Sequence, residues 1–175
     1  MCSCNRAKQA LKNNIRPGAP APRAVPVAPA VPTIDTSVWG PSTWVALHIA
    51  SVFSSQNLPL WKELLAALQA DIPCPDCRAH YSRWIQAHPF RASGMLPIRR
   101  MLGQRPAPPK IIQWLLNLHN DVNSRTGLPA WNEQQIMTRY GGDRAARLVE
   151  GRASLETVRG ILGKTSFALL MRLLG

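Results

Sequence analysis

The chain has 175 residues, 46% of them apolar and 17% charged, and a formal net charge of +12. This length suits one domain with a core of its own and hardly two. We expect no transmembrane segment and no secretory signal, because no apolar stretch approaches the roughly 20 residues that span a bilayer and Met1 to Gly18 lacks an apolar stretch.

Residues 1–34 are predicted to form a flexible, disordered basic arm. The prolines between Pro17 and Pro32 recur with alanine and valine, a pattern that favours extended polyproline-like conformations and offers no core. The arm contains basic residues and no acidic one. A mitochondrial presequence is therefore an alternative, against which the prolines and the near absence of serine argue.

The body of the chain, residues 35–140, is predicted to be all-α, because it contains no convincing strand pattern of period two. Four helices joined by short connections predict an up-down bundle. A longer connection that contains Gly, Pro and Arg is predicted at residues 89–109. The predicted helices run from Pro41 to about Phe53, from Leu58 to Ala70, from Pro73 to about His88, from Lys110 to Ser124 and, as a short fifth helix, from Asn132 to Tyr140.

Residues 141–175 form a basic C-terminal extension in which apolar and basic residues alternate as in one or two amphipathic helices. Such helices could dock on a partner, on a membrane surface or on the domain itself, and the pattern leaves these three open.

Cys74 and Cys77 form a C-x-x-C pair at the predicted start of a helix. A helix N-terminus stabilises negative charge and can lower a thiolate pKa, so a redox-active disulfide is the favoured interpretation. A zinc site completed by His80 and His88 and a pair of inert buried cysteines are the alternatives. A thioredoxin-like fold is not expected, because no βαβ unit is visible.

Two further helices carry aromatic and polar residues one turn apart. Trp44 and His48 share a face, as do His119 and Asn123. Taken singly, each pair fits an ordinary core; taken together with the cysteine pair, they favour a planar heterocyclic cofactor bound inside the bundle.

Three segments follow one another along the chain: Trp39-Gly40-x3-Trp44-x2-Leu47-His48, Cys74-x2-Cys77-x2-His80 and Trp114-x4-His119-Asn120-x-Val122-Asn123, the last followed by Arg125-Thr126-Gly127-Leu128-Pro129-x-Trp131. In this order and spacing they resemble the Erv/ALR family of sulfhydryl oxidases. The resemblance covers about residues 35–140 and implies a helical bundle that binds FAD and oxidises thiols with O2, producing hydrogen peroxide.

The resemblance also implies roles for individual residues. Cys77 matches the cysteine that faces the flavin and forms a charge-transfer pair with it, and Cys74 matches the one that an incoming thiolate attacks. Gly40 matches a tight approach before the first helix. The positions that match FAD contacts are Gly40, Trp44, His48, Cys77, His80, His119, Asn120, Val122, Asn123 and Trp131.

Some positions depart from the cellular members of the family. A structural cysteine pair is replaced by Leu116 and Glu133, Pro41 stands where a basic residue is common, and Leu128 replaces a lysine. The Trp39-Gly40-Pro41 segment and the missing cysteine pair resemble the virus-encoded branch. A location in a host cytoplasm or virion is therefore expected rather than the mitochondrial intermembrane space.

The expected partners also follow from the resemblance. They are reduced thiol proteins or a thioredoxin-like carrier, O2 and a second copy of the chain in a homodimer; nucleic acid and a metal are not expected.

Cys2 and Cys4 lie at the tip of the arm. Family members often carry a second dithiol on a flexible arm, so the pair is interpreted as a shuttle that passes electrons to the cysteine pair of the bundle. A C-x-C ring is strained, which leaves incidental cysteines or metal binding as alternatives.

Two other functions are weighed against the oxidase. The first is a zinc-stabilised basic module that binds nucleic acid, with Cys74, Cys77, His80 and His88 as ligands. The second is an inactive helical adaptor that uses the basic C-terminal extension.

Overall fold

The computed structural model describes residues 35–90 and 111–175, which form seven α-helices and contain no strand. The all-α prediction is confirmed for these residues. The arm, with Cys2 and Cys4, and most of the connection after α3 lie outside the described residues. The helices are α1 (Thr36–Phe53), α2 (Leu58–Asp71), α3 (Pro75–Ala87), α4 (Ile111–Thr126), α5 (Glu133–Tyr140), α6 (Arg144–Glu156) and α7 (Lys164–Leu173).

Helix α1 begins at Thr36, five residues before the predicted start at Pro41. The side chain of Asp35 caps it by accepting a hydrogen bond from the Ser37 amide at 2.8 Å. Pro41, which lacks an amide proton, lies in the second turn of this helix, so proline is not the start signal here. Gly40 consequently lies within α1 rather than before it.

The C-terminal extension packs on the domain itself. Helix α6 lies along α1, and α7 lies along α2. Leu155, Leu170 and Leu174 are fully buried together with Ile49 of α1 and Trp61 of α2. Of the three docking alternatives for this segment, the structure therefore selects the domain. Within the described residues, no helix has the length and apolar character needed to cross a membrane.

One junction ties α2 to α7 immediately before the cysteine pair. The carbonyl of Asp71 accepts a hydrogen bond from the Gly163 amide at 3.1 Å, and its carboxylate accepts one from the Ser166 amide at 2.7 Å. Gly163 is the N-cap of α7 and has no side chain to cap the helix. Asp71, which lies far earlier in the chain, therefore accepts the hydrogen bonds of these two amides. The chain then continues through Ile72 and Pro73 to Cys74.

Substituting Gly163→Ala is expected to destabilise the protein by about 1–3 kcal/mol, the usual effect of overpacking. A Cβ at this position would overlap the carboxyl group and the Cβ of Asp71, and that carboxylate is held by Ser166. Urea unfolding measures the change. Thr165→Ala, an exposed position in the same turn of α7, is the matched control and should stay within about 0.5 kcal/mol of the wild type. Equal stability of the two variants would contradict the importance of the junction.

Candidate active site

Cys74 and Cys77 are joined in a disulfide at the N-terminus of α3, with their Cα atoms 5.2 Å apart. Cys74 is the N-cap residue, and its Sγ accepts a hydrogen bond from the Cys77 amide at 3.2 Å. Both residues are half-buried. The amides and the dipole of α3 stabilise negative charge at this end of the helix, so a thiolate formed here is favoured.

Five aromatic side chains form a stack, called the ring cluster below. The rings of Trp44 and His119 lie 4.2 Å apart and within 8° of parallel. The ring of His48 lies 5.2 Å from that of Tyr140, and Trp131 lies 6.3 Å from His119. The cluster draws its members from α1, α4, α5 and the loop before α5. Sequence analysis selected four of them and missed Tyr140, whose helical spacing alone does not distinguish it from a core residue.

Two histidines at the centre of the ring cluster are in direct contact. His48 Nε2 lies 2.8 Å from His119 Nδ1, and His48 is fully buried. Burial, with a smaller contribution from the neighbouring histidine, lowers the pKa of His48 from 6.5 to about 3. Burial also lowers the pKa of His119, to about 4. Both rings are therefore neutral at pH 7.

A neutral imidazole has one N–H donor and one acceptor nitrogen, so in this contact one ring must donate and the other must accept. His48 Nδ1 is buried and has no hydrogen-bond partner among residues 35–90 and 111–175. Because an orphaned buried N–H is rarer in proteins than an unsatisfied acceptor, the proton of His48 belongs on Nε2, which donates to His119 Nδ1. His119 then carries its own proton on Nε2.

The two asparagines of the His-Asn segment hold the loop that carries Trp131. The Asn120 side chain donates to the carbonyl of Trp131 and accepts from its amide, both at 2.8 Å. The side-chain amide of Asn123 donates to the carbonyl of Pro129 at 3.0 Å. Gly127 makes the turn out of α4 with a φ of +73°. Sequence analysis missed this supporting role, because a contact with backbone leaves no signal in residue type.

A side-chain pair links α3 to α4 close to the disulfide. His80, three residues after Cys77, places Nε2 2.5 Å from Oδ2 of Asp121. Asp121 was not among the residues predicted from the sequence. The two side chains are 41 positions apart, so no local spacing could have paired them.

The zinc set predicted as an alternative is not assembled. The sulfurs of Cys74 and Cys77 are bonded to each other, His80 is paired with Asp121, and His88 stacks on Trp84 with ring centroids 4.4 Å apart. Across residues 35–90 and 111–175, no three histidine, cysteine or acidic side chains are arranged to bind a metal.

The remaining predicted residues lie on the same helices. Val122 is half-buried on α4, next in sequence to Asp121. A Cβ at Gly40 would meet no atom of the described residues within 4 Å, so their packing does not require glycine there. Leu116, at one of the replaced cysteine positions, is buried in the core.

A cavity of about 390 Å³ lies beside the ring cluster, and Trp131 forms part of its wall. Arg139 and Arg147 also line it, and both form ion pairs with Glu150. The two guanidinium groups and one carboxylate give this edge a net positive charge. The side chains of Gln134, Gln135 and Thr138 complete the lining.

Comparisons with known proteins agree with the geometry. The sequence model of the Erv1/Alr family matches residues 41–141. The chain is 29% identical over 107 residues to the rice FAD-linked sulfhydryl oxidase ERV1, covering 58% of this chain and 48% of the relative. It is 28% identical over 103 residues to an FAD-linked sulfhydryl oxidase of African swine fever virus, covering 54% of this chain and 75% of the relative.

Protein 088R of Frog virus 3 is 26% identical over 115 residues, which cover 61% of this chain and 69% of the relative. The chain thus spans about half the length of the rice relative and a larger share of the viral ones. No solved structure gives a significant match.

Proposed function

The chain belongs to the Erv1/Alr family, and from that premise we propose that it is an FAD-linked sulfhydryl oxidase that forms disulfides in substrate proteins. O2 is the electron acceptor and hydrogen peroxide the product. The observation that carries the proposal is the Cys74–Cys77 disulfide at the N-terminus of α3. The names of the rice and viral relatives support the same activity.

The residues of the ring cluster suit a planar cofactor. Stacked rings within the cluster lie within 29° of parallel, so they offer flat faces to an isoalloxazine or adenine ring. Nδ1 of His48 is a buried polar atom without a partner in the described part of the chain, and the positive edge at Arg139 and Arg147 suits a diphosphate. The residues that would hold FAD are Gly40, Trp44, His48, Cys77, His80, His119, Asn120, Val122, Asn123 and Trp131.

Thiol exchange at the cysteine pair follows from its position. A substrate thiolate attacks Cys74 Sγ, a bond forms between these sulfurs, and the Cys74–Cys77 bond breaks with Cys77 leaving as a thiolate. The N-terminus of α3 stabilises that leaving group. A second substrate thiolate then attacks the substrate sulfur of the mixed disulfide, which releases Cys74 as a thiolate and the substrate as a disulfide.

This exchange moves two electrons from the substrate to the cysteine pair and releases two protons from the substrate thiols. When bound, FAD supplies the two-electron chemistry that reoxidises the pair and delivers the electrons to O2. The chain's own part is to hold Cys77 on the helix that also carries His80, and to keep the ring cluster neutral and largely shielded from water.

An absorbance spectrum of the purified protein, combined with an oxidation assay, tests the proposal. We expect a flavin band, and consumption of O2 matched by hydrogen peroxide when a small dithiol is added. A colourless protein that takes up no FAD would overturn the proposal, and stoichiometric zinc in that protein would favour the nucleic-acid-binding alternative.

We also propose that Cys2 and Cys4 relay electrons from protein substrates to Cys74. A polyproline-like tether extends about 3.1 Å per residue, so the arm is long enough to reach across a domain or to a partner copy. The Cys2→Ser/Cys4→Ser double variant is expected to oxidise a folded, reduced protein markedly more slowly than the wild type. Dithiothreitol, which diffuses to Cys74 unaided, should be oxidised at nearly the wild-type rate.

Deleting residues 1–34 is the companion experiment. If the deletion slows oxidation of the protein substrate and the double cysteine variant does not, the arm acts as a docking segment and the two thiols are incidental. Oxygen consumption with each substrate gives both rates.

A further inference from the structure

We propose that Asp121 is a positioning residue for the cysteine–flavin site: its carboxylate orients the ring of His80 and keeps a proton on His80 Nε2. The inference rests on the proposed function and concerns a residue to which neither the sequence nor the family resemblance gave a role. Its basis is the 2.5 Å contact between His80 Nε2 and Asp121 Oδ2.

The position of His80 connects this contact to the chemistry. His80 follows Cys77 by three residues on α3, a spacing that places both side chains on neighbouring parts of one helix face. Its side chain is only 13% exposed, whereas that of Asp121 is 41% exposed. The carboxylate therefore lies on the solvent side of the pair, and the imidazole lies on the buried side.

The contact also fixes how two elements of the site meet. Asp121 belongs to α4 and stands between Asn120, which holds the Trp131 loop, and Val122. At the far end of the same two helices, the Trp114 indole donates to the carbonyl of His88 at 2.8 Å. The two contacts join α3 and α4 in antiparallel order, and the His80–Asp121 contact is the one nearer to the disulfide.

The chemistry of the two groups assigns the proton. An ionised carboxylate only accepts hydrogen bonds, so His80 Nε2 must donate and Nδ1 is left as the second ring nitrogen. A carboxylate that orients a histidine and selects its tautomer in this way is a common supporting arrangement in functional sites. An asparagine at position 121 can accept or donate, so it would leave both the tautomer and the ring orientation unselected.

A double-mutant cycle on the full-length, FAD-loaded protein tests the inference. Asp121→Asn is made in the wild-type background and in a His80→Gln background, and FAD release on dilution is followed by the rise in flavin fluorescence. We expect Asp121→Asn to raise the dissociation constant of FAD about 3- to 10-fold in the wild type, as loss of one net hydrogen bond would. In the His80→Gln background it should cause no further change.

Two additional variants separate positioning from general effects. Asp121→Glu retains the carboxylate and should recover part of the affinity. Glu63→Gln removes the same charge from an exposed position on α2 and should leave FAD affinity unchanged. An equal loss for Asp121→Asn in both backgrounds, or no loss in either, would overturn the inference.

The tautomer is measured independently by ¹⁵N NMR of the His80 ring. The inference expects a protonated Nε2 in the wild type and a mixture of tautomers in Asp121→Asn; a wild-type ring without a proton on Nε2 would overturn it. If no form of the protein binds FAD, the proposed function fails, and the same spectra still decide whether Asp121 fixes the His80 proton.

Discussion

Cys77→Ser is expected to abolish dithiol oxidation while FAD stays bound. Serine occupies nearly the same volume but cannot form a disulfide, so under the proposed function the site loses both its oxidised state and the sulfur that would donate electrons to the flavin. The disulfide closes a very short loop, and its loss should lower the free energy of unfolding by only about 2 kcal/mol. Oxygen consumption with dithiothreitol measures activity, and the flavin absorbance of the dialysed protein measures occupancy.

Cys74→Ser is the matched control for that experiment. It should also stop turnover, but by removing the sulfur that the substrate attacks. Under the proposed function the Cys77 thiolate then faces the flavin, so a long-wavelength charge-transfer band is expected in Cys74→Ser and not in Cys77→Ser. A charge-transfer band in Cys77→Ser and not in Cys74→Ser would mean that Cys74 is the cysteine that faces the flavin. Normal turnover in either variant would show that the cysteine pair takes no part in the reaction.

Acid is expected to unfold the protein through its buried histidine pair. The native pKa of His48 is lowered to about 3, so between this value and the ordinary 6.5 the unfolded chain binds a proton that the native protein does not. The stability that neutral His48 allows is complete above pH 6.5 and is lost progressively as the pH falls towards 3. His119, with a pKa of about 4, acts in the same direction.

The size of this effect is set by the pKa difference. One pKa unit corresponds to about 1.4 kcal/mol, so His48 alone should reduce the free energy of unfolding by about 2 kcal/mol between pH 6.5 and 5. Glu150 and Glu156, whose pKa values are lowered by arginine partners, stay ionised in that interval and contribute little to the slope. Urea unfolding at half-unit steps of pH gives the curve.

His48→Gln provides the comparison. A glutamine amide can still donate to His119 Nδ1 but does not titrate, whereas His119 still titrates in the variant. The slope between pH 6.5 and 5 should therefore fall to about half of the wild-type slope, whatever the absolute stability of the variant. Parallel curves for the wild type and the variant would show that His48 is not the group that confers acid sensitivity.

Patterns of a few consecutive residues predicted the helices and four of the five members of the ring cluster. The helical spacing of Trp44 and His48, and of His119 and Asn123, is a property of a few consecutive residues, and it holds wherever the helix lies. The proline and the N-cap cysteine at the start of α3 likewise affect only the first turn of that helix. The local pattern was wrong at α1, where a proline that looked like a start signal lies inside a helix that is capped earlier by Asp35.

Contacts between distant segments were beyond any such pattern. The amphipathic pattern of residues 141–175 required an apolar surface to cover, but it did not say which one; only the fit of α6 to α1 and of α7 to α2 decided that. The Asp71 junction and the His80–Asp121 pair join residues 95 and 41 positions apart. A charged side chain has many partners available in the chain, and packing selects among them.

Short-range patterns were enough to predict the all-α class, the helix that presents the cysteine pair and most members of the ring cluster, because side chains one turn apart and residues at a helix end interact whatever the rest of the chain does. Packing between separate helices set three further features: the C-terminal helices complete the core, the two asparagines hold the Trp131 loop, and Asp121 contacts His80. Those contacts arise only when separate helices pack, since burial then fixes which polar groups must satisfy one another.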